Sequence, residues 1–218
     1  GSQPSDDKPA AGKKGGGKKQ EGGKKGGGRQ PAAAAAAGPE LSEEHKVFSQ
    51  CDIRVGKIVE CTAHPESEKL YIEKIDLGEG DGKIRTIVSG LQPFVTLEEM
   101  LADKIIVFAN MKPRKLAGIM SEGMVLCASD ADRTTIELMR PSNDTPVGER
   151  VTLDGNPFGD GGLTQEAQPI LNPKRKIEPK FLEKLTTDGD KQGLFDGAKL
   201  MTAAGPVISK SIANGSIS

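Results

Sequence analysis

From about Leu41 onward, short apolar runs alternate with polar turns at the spacing of strands rather than of long helices. Residues 53–59, IRVGKIV, read as a strand whose alternation slips at Gly56, which predicts a bulge or sharp bend there. After a turn at His64-Pro65, residues 70–77 place Tyr71, Ile75 and Leu77 in phase, and residues 83–89 place Ile84, Thr86 and Val88 on one face. Ser42-Glu43-Glu44 is expected to open a short helix, and Thr96 with Glu99 three positions on fits a capping box for a second helix ending near Ala102. Residues 105–109 and 124–128 are nearly continuous apolar runs, as in strands buried on both faces, and a further strand is expected over 134–139. Three strands, a helix and two strands is the order of a five-stranded OB-fold barrel, with its helix between the third and fourth strands. The expected fold is therefore mainly β.

The flanks differ in composition. Residues 1–39 are low in complexity: Lys13, Lys14, Lys18, Lys19, Lys24 and Lys25 stand in pairs between glycine runs, followed by alanines at 32–37. Such a stretch buries too little apolar surface to offset its ordering entropy, so a disordered basic arm is expected. Residues 156–218 contain Pro157, Pro169, Pro173 and Pro179 and short apolar pieces such as Phe181-Leu182 and Val207-Ile208. They read as a smaller, loop-rich accessory domain packed on an OB domain at 40–155. A net charge of -1 hides an asymmetry of +5 for residues 1–39, -7 for 40–155 and +1 for 156–218. The overall charge thus says little about partners, because the arm is basic and the central domain acidic.

Several function classes are disfavoured. No run of about 18 apolar residues is present, so no membrane span is expected, and no charged segment followed by an apolar one suggests a secretory signal, so a cytoplasmic location is expected. The opening Gly1-Ser2, without Met, fits a piece of a longer protein. Cys51, Cys61 and Cys127 with His45 and His64 make no zinc-ligand pattern, so reduced buried thiols and no metal or cofactor are expected. No phosphate-binding loop, nucleophile elbow or synthetase signature is found, so no catalytic residues are assigned.

The chemistry concentrates in residues 110–124, NMKPRKLAGIMSEGM. Lys112, Arg114 and Lys115 lie within four positions with Pro113 restraining the backbone between them. Arg suits bidentate phosphate contacts and Lys acts as a point charge. Asn110 carries both a donor and an acceptor for a base or 2′-hydroxyl edge. Arg54, Lys57 and Arg85 are candidates to extend this patch across the barrel face. Tyr71 is a candidate base platform, though with 3% aromatic residues it is expected to pack, and few stacking surfaces are available for single-strand binding.

Residues 110–124, taken with IRVGKIV at 53–59, HPESEKLYIEKIDLG at 64–78, IVSGL at 87–91, MVLCAS at 124–129, GERV at 148–151, LNPKRK at 171–176 and SIANGSIS at 211–218, resemble the tRNA-binding domain of the endothelial-monocyte-activating polypeptide II type. The resemblance covers residues 50–218. It implies an OB-fold tRNA-binding domain of tyrosyl- or methionyl-tRNA synthetases, or of cofactor proteins that hold synthetases together. It also implies that the C-terminal domain imitates the dimer contact of short bacterial relatives, so the module is expected to be a monomer. The S-x-x-M element, Ser121 to Met124, matches positions that the family uses at its tRNA contact. Two alternatives follow from the same resemblance. One is a cytokine-like signalling fragment, for which residues 54–59 align with the family's active segment but depart from it at Lys57 and at Val59-Glu60. The other is a scaffold that holds synthetases while the RNA site lies idle.

Overall fold

A computed structural model describes residues 41–155, 157–158, 163 and 169–218. The expected lysine-rich arm, with Lys13, Lys14, Lys18, Lys19, Lys24 and Lys25, lies outside them.

Helix α1 (Glu43–Gln50) starts where Ser42 accepts a hydrogen bond from the His45 N–H at 3.1 Å. Four strands follow with one helix among them: β1 (Ile53–His64), β2 (Ser67–Asp76), β3 (Ile84–Ser89), α2 (Leu97–Ala102) and β4 (Lys104–Phe108). The capping box forms as the sequence indicates: the Glu99 N–H donates to Thr96 Oγ1 at 3.2 Å, and the Thr96 N–H donates to Glu99 Oε2 at 3.3 Å. Next come β5 (Arg114–Leu116), β6 (Ile119–Ser121), β7 (Met124–Val125), β8 (Cys127–Ser129), β9 (Ile136–Leu138) and β10 (Thr152–Leu153). One antiparallel sheet runs in the order β3-β2-β1-β4-β7 and curls into an OB-like half-barrel.

Gly56 makes no bulge. It pairs in unbroken register with Ile105, and the irregularities in β1 fall between Ile58 and Glu60, where Val59 is exposed, and between Ala63 and His64. A Cβ on Gly56 would stand 2.8 Å from Leu77 Cδ2 and 3.0 Å from Ile75 Cγ2, so the glycine serves close packing inside the barrel. The expected strand over 124–128 is two strands. It breaks at Leu126, where β7 continues on β4 while β8 enters a second sheet.

The second sheet joins strands from residues 127–153 to strands from residues 185–217. Its strands are β11 (Leu185–Thr187), β12 (Gly193–Phe195), β13 (Ala198–Thr202), β14 (Gly205–Pro206) and β15 (Ser216–Ile217), preceded by a 3-10 turn η1 (Pro173–Arg175) and helix α3 (Ile177–Leu182). The order β10-β13-β12-β11-β15-β8-β9 makes residues from both segments neighbours in one sheet. The terminal strand β15 lies between β11 and β8, with Ser216 opposite both Thr186 and Ser129. A Cβ on Gly215 would stand 2.4 Å from the Ser129 carbonyl oxygen, which explains a glycine ahead of this insertion. Phe48, Phe108, Phe181 and Phe195 are buried in one hydrophobic cluster that spans α1, β4, α3 and β12.

Candidate nucleic-acid interface

Residues 110–124 form a hairpin. β5 and β6 pair antiparallel with Arg114 opposite Ser121 and Lys115 opposite Met120, and the two-residue turn at Ala117-Gly118 has φ of 43° and 87°. Those dihedrals belong to the tight turns that match strand twist.

Both ends of the hairpin are fastened. At its base the Glu122 N–H donates to the Thr86 carbonyl at 2.9 Å, the Thr86 N–H donates to Glu122 Oε2 at 3.0 Å, and the Val88 N–H donates to Ser121 Oγ at 3.0 Å. The hairpin thereby covers the outer edge of β3, so Ile87 and Val88 are buried while Ile84 is exposed. At the tip, His64 Nδ1 accepts from the Glu66 N–H at 3.0 Å. That leaves its Nε2 to donate to the Ala117 carbonyl, also at 3.0 Å. His64 is therefore a brace between the β1–β2 turn and the hairpin turn.

The residues singled out from the sequence fall into two groups. Lys112, Arg114 and Lys115 are exposed on the hairpin. Met124 is half-buried and, with Ser121 and Gly123, lines a cleft of about 280 Å³ between the hairpin and the end of β3, with Lys112 and Arg114 also on its wall. Strand alternation sets Lys115, with the half-exposed Met120, on the face opposite Arg114 and Leu116.

The polar groups of the second group are engaged within the fold. Asn110 is buried; its Oδ1 accepts from the Asp52 N–H at 2.8 Å and its Nδ2 donates to the Gln50 carbonyl at 2.8 Å. Ser121 is buried and donates to the Gly123 carbonyl at 3.1 Å. Arg85 is tied to Glu79 and donates to the carbonyls of Ala109 and Glu122. The hydrogen bond from Arg85 holds the Glu79 carboxyl below the usual carboxylate range. Arg54 pairs with Asp52 at 2.8 Å. The Lys57 ammonium donates to the Leu101 carbonyl at 3.2 Å and lies 3.4 Å from that of Ala102, at the carbonyl end of α2 where a cation is favoured. Asn110, Ser121 and Arg85 thus fasten the ends of the hairpin segment, whereas Arg54 and Lys57 are bonded to Asp52 and to the end of α2.

A second basic element is not apparent from the sequence alone. Lys174, Arg175 and Lys176 are exposed on and just after η1, and Lys176 shares with Lys112 and Arg114 a second cleft, of about 380 Å³. In the sequence LNPKRK stands out only as a family signature; its three consecutive cations are the signal that could have found it.

Aromatic side chains are largely committed to the core. Of six Phe and one Tyr, Phe48, Phe108, Phe181 and Phe195 are fully buried, and Tyr71 is buried with its hydroxyl donating to the Val95 carbonyl at 3.1 Å. Phe158 stacks on Phe48 at 5.9 Å between ring centroids, while Phe94 is exposed. The three cysteines are free and buried, and burial pushes the Cys61 and Cys127 thiols up to about 12. Among the described residues no group of His, Cys, Asp and Glu is placed to hold a metal ion, and no helix is long and apolar enough to cross a membrane.

A mainly β, OB-like domain presenting a braced cationic hairpin has the properties of a nucleic-acid-binding module. Residues 53–150 match the family model described as "Putative tRNA binding domain". Over that span the chain belongs to the tRNA-binding domain family. Its relatives include a cytoplasmic methionine–tRNA ligase from Arabidopsis thaliana, 39% identical over 170 residues, with 78% of this chain and 20% of the relative covered. A cytoplasmic tyrosine–tRNA ligase from Gallus gallus is 37% identical over 183 residues, 83% of this chain and 33% of the relative. The aminoacyl tRNA synthase complex-interacting multifunctional protein 1 of Cricetulus griseus is 33% identical over 162 residues, 74% of this chain and 42% of the relative. The chain thus spans from a fifth to under half of these relatives. Among solved structures, the C-terminal domain of Plasmodium vivax p43 superposes with a TM-score of 0.69 at 29% identity, covering 78% of this chain and 98% of that one.

Proposed function

We propose that this chain binds tRNA through the β5–β6 hairpin, by backbone charge and shape with little preference for base sequence, and so retains tRNA for an aminoacyl-tRNA synthetase in cis or in trans. One observation carries this: the hairpin that presents Lys112, Arg114 and Lys115 to solvent is pinned at base and tip, on a domain that is otherwise acidic. Pinned cations lose less conformational freedom when they meet phosphate, and that favours affinity. The engagement of Phe48, Phe108, Phe181, Phe195 and Tyr71 in the core leaves few platforms for base stacking, which supports recognition without sequence reading.

In this proposal the arm at 1–39 supplies further cations, the barrel at 40–155 holds the RNA, and residues 156–218 stand where short bacterial relatives place a second copy, giving a monomer in the cytoplasm. A linked or associated synthetase then meets tRNA at raised effective concentration. The strand that aligns with the cytokine-active segment lies between β2 and β4 and is paired on both sides, which favours the RNA-binding function over signalling by that segment.

Filter binding of bulk tRNA across a salt series tests the proposal. Replacing Lys112→Ala together with Arg114→Ala should cost roughly 1–3 kcal/mol of binding. It should also flatten the salt dependence by about 0.7–0.9 for each phosphate that is no longer neutralised. A chain lacking residues 1–39 should show a further loss of slope. Unaltered affinity in the double variant would move the site away from the hairpin, and an unchanged slope in the shortened chain would remove the arm from it.

A further inference from the structure

The hairpin's central cation is occupied in the free chain. The Arg114 guanidinium is ion-paired with the Glu178 carboxylate on α3, 64 positions away in sequence, and the two side chains are 52% and 27% exposed. Among the described residues this is the one acidic partner that the hairpin cations have: Lys112 and Lys115 are in no ion pair with a carboxylate, and neither are Lys174, Arg175 and Lys176. Glu178 therefore stands between two basic elements, the hairpin and η1, and lines the cleft of about 380 Å³ that has Lys112, Arg114 and Lys176 on its walls.

The elements on either side of that cleft are held in place. The Leu171 N–H donates to the Asn110 carbonyl at 2.8 Å, tying the start of the η1 segment to the start of the hairpin segment. Asn172 Oδ1 accepts from the Lys174 N–H at 3.0 Å, and the Lys176 N–H donates to the Pro173 carbonyl at 3.1 Å, closing the 3-10 turn. Lys176 then adopts the left-handed conformation, φ 54°, as α3 begins, without a side-chain cap for that helix. The three cations are thus displayed from an ordered turn.

We propose that Glu178 is a built-in stand-in for an RNA phosphate: tRNA displaces it from Arg114, and the bound backbone continues from the hairpin across the cleft onto Lys174, Arg175 and Lys176. The proposal rests on the tRNA-binding function above and extends its site into the C-terminal segment. A half-exposed ion pair is weak, because solvent screens it and two side chains must be ordered. A phosphate can take both prongs of a guanidinium fork and sits at the same time among Lys112 and Lys176. The exchange trades one carboxylate for a ligand that several cations share, so RNA wins it. Until then Glu178 lowers the affinity of the site for phosphate. It also keeps Arg114 folded towards α3, the direction in which the RNA runs.

Three measurements on the full chain, each by filter binding of bulk tRNA over a salt series, test this. Glu178→Gln should tighten binding about three- to tenfold, whereas Glu183→Gln, an acid on the same segment, should change it by less than about twofold. In an Arg114→Ala background the gain from Glu178→Gln should vanish, since there is no guanidinium left to release. Lys174→Gln with Arg175→Gln should weaken binding and reduce the salt slope by about 0.7–0.9 for each phosphate these side chains neutralise. Equal effects of Glu178→Gln and Glu183→Gln, or a gain that persists without Arg114, would overturn the stand-in role. An unchanged salt slope in the Lys174 and Arg175 variant would overturn the extension onto η1. If the wild-type chain binds but the hairpin double variant binds equally well, the hairpin site itself fails, an outcome separable from these.

Discussion

Replacing Phe181 by Ala should lower the stability of the described domain by about 3–5 kcal/mol, the cost of removing a fully buried aromatic side chain and leaving its cavity. Phe181 is 0% exposed, and its ring meets Phe108 at 5.0 Å edge-on, Phe195 at 5.2 Å stacked and Phe48 at 5.9 Å. These rings come from α3, β4, β12 and α1, so one side chain links the OB-like sheet to the C-terminal strands. Each aromatic pair removed adds about 0.5–1.5 kcal/mol to the area term where the geometry is offset or edge-on. Urea denaturation followed by circular dichroism should show the midpoint falling while the transition remains single, because the two segments share a sheet and a core. Two separated transitions in the wild-type chain, or a loss below about 1 kcal/mol in the variant, would contradict this coupling.

The second large effect concerns Glu73. Its side chain is 0% exposed on the core face of β2, in phase with Tyr71 and Ile75, and its Oε2 has no hydrogen-bond partner among the described residues. Burial pushes its carboxyl up to about 8 from the ordinary 4.5; the hydrogen bond with the Ser89 hydroxyl opposes that only in part. At neutral pH the group is therefore protonated in the folded chain and ionised in the unfolded one. Between about pH 4.5 and 8 the native state holds a proton that the unfolded state lacks, so stability falls as pH rises through this window. Below the window both states are protonated and the dependence disappears; above it both are ionised and the full penalty remains. Glu43, Glu79, Glu99 and Asp130 are shifted the other way, so their contributions are lost only as pH falls below the ordinary carboxylate range. Glu73→Gln should remove the slope and leave the variant more stable than wild type by about 4–5 kcal/mol at the top of the window, with little difference near pH 4.5. Parallel stability–pH curves for the two chains would show that Glu73 does not titrate in this way.

The strand pattern of residues 53–109 is readable because each strand there packs one or both faces, and burial writes itself into alternation. Thr96 and Glu99 announce α2 through local hydrogen bonds alone. What escapes depends on neighbours distant in sequence. β5 and β6 are three residues each and β5 is exposed throughout, so no apolar period marks them. β15 is two residues long and takes its place only because β8 and β11 leave a gap for it. Gly56 breaks the alternation for packing against Leu77, which a one-dimensional pattern cannot separate from a bulge.

The site shows the same division. Lys112, Arg114 and Lys115 stand out because charge is concentrated in a short restrained stretch. Asn110, Ser121, Arg85, Arg54 and Lys57 have residue types equally suited to RNA, yet their partners in the fold are backbone groups and carboxylates that only the tertiary structure reveals. Lys176 shares a cleft with Lys112 and Arg114 through a juxtaposition that no local pattern encodes.

Ultraviolet crosslinking of bulk tRNA to the full chain, with the modified peptides mapped by mass spectrometry, tests the central claim most directly. Adducts on residues 111–124, joined by residues 173–180, are the predicted result. Adducts confined to other surfaces, such as the strand around Arg54 and Lys57, with residues 111–124 unmodified, would contradict it.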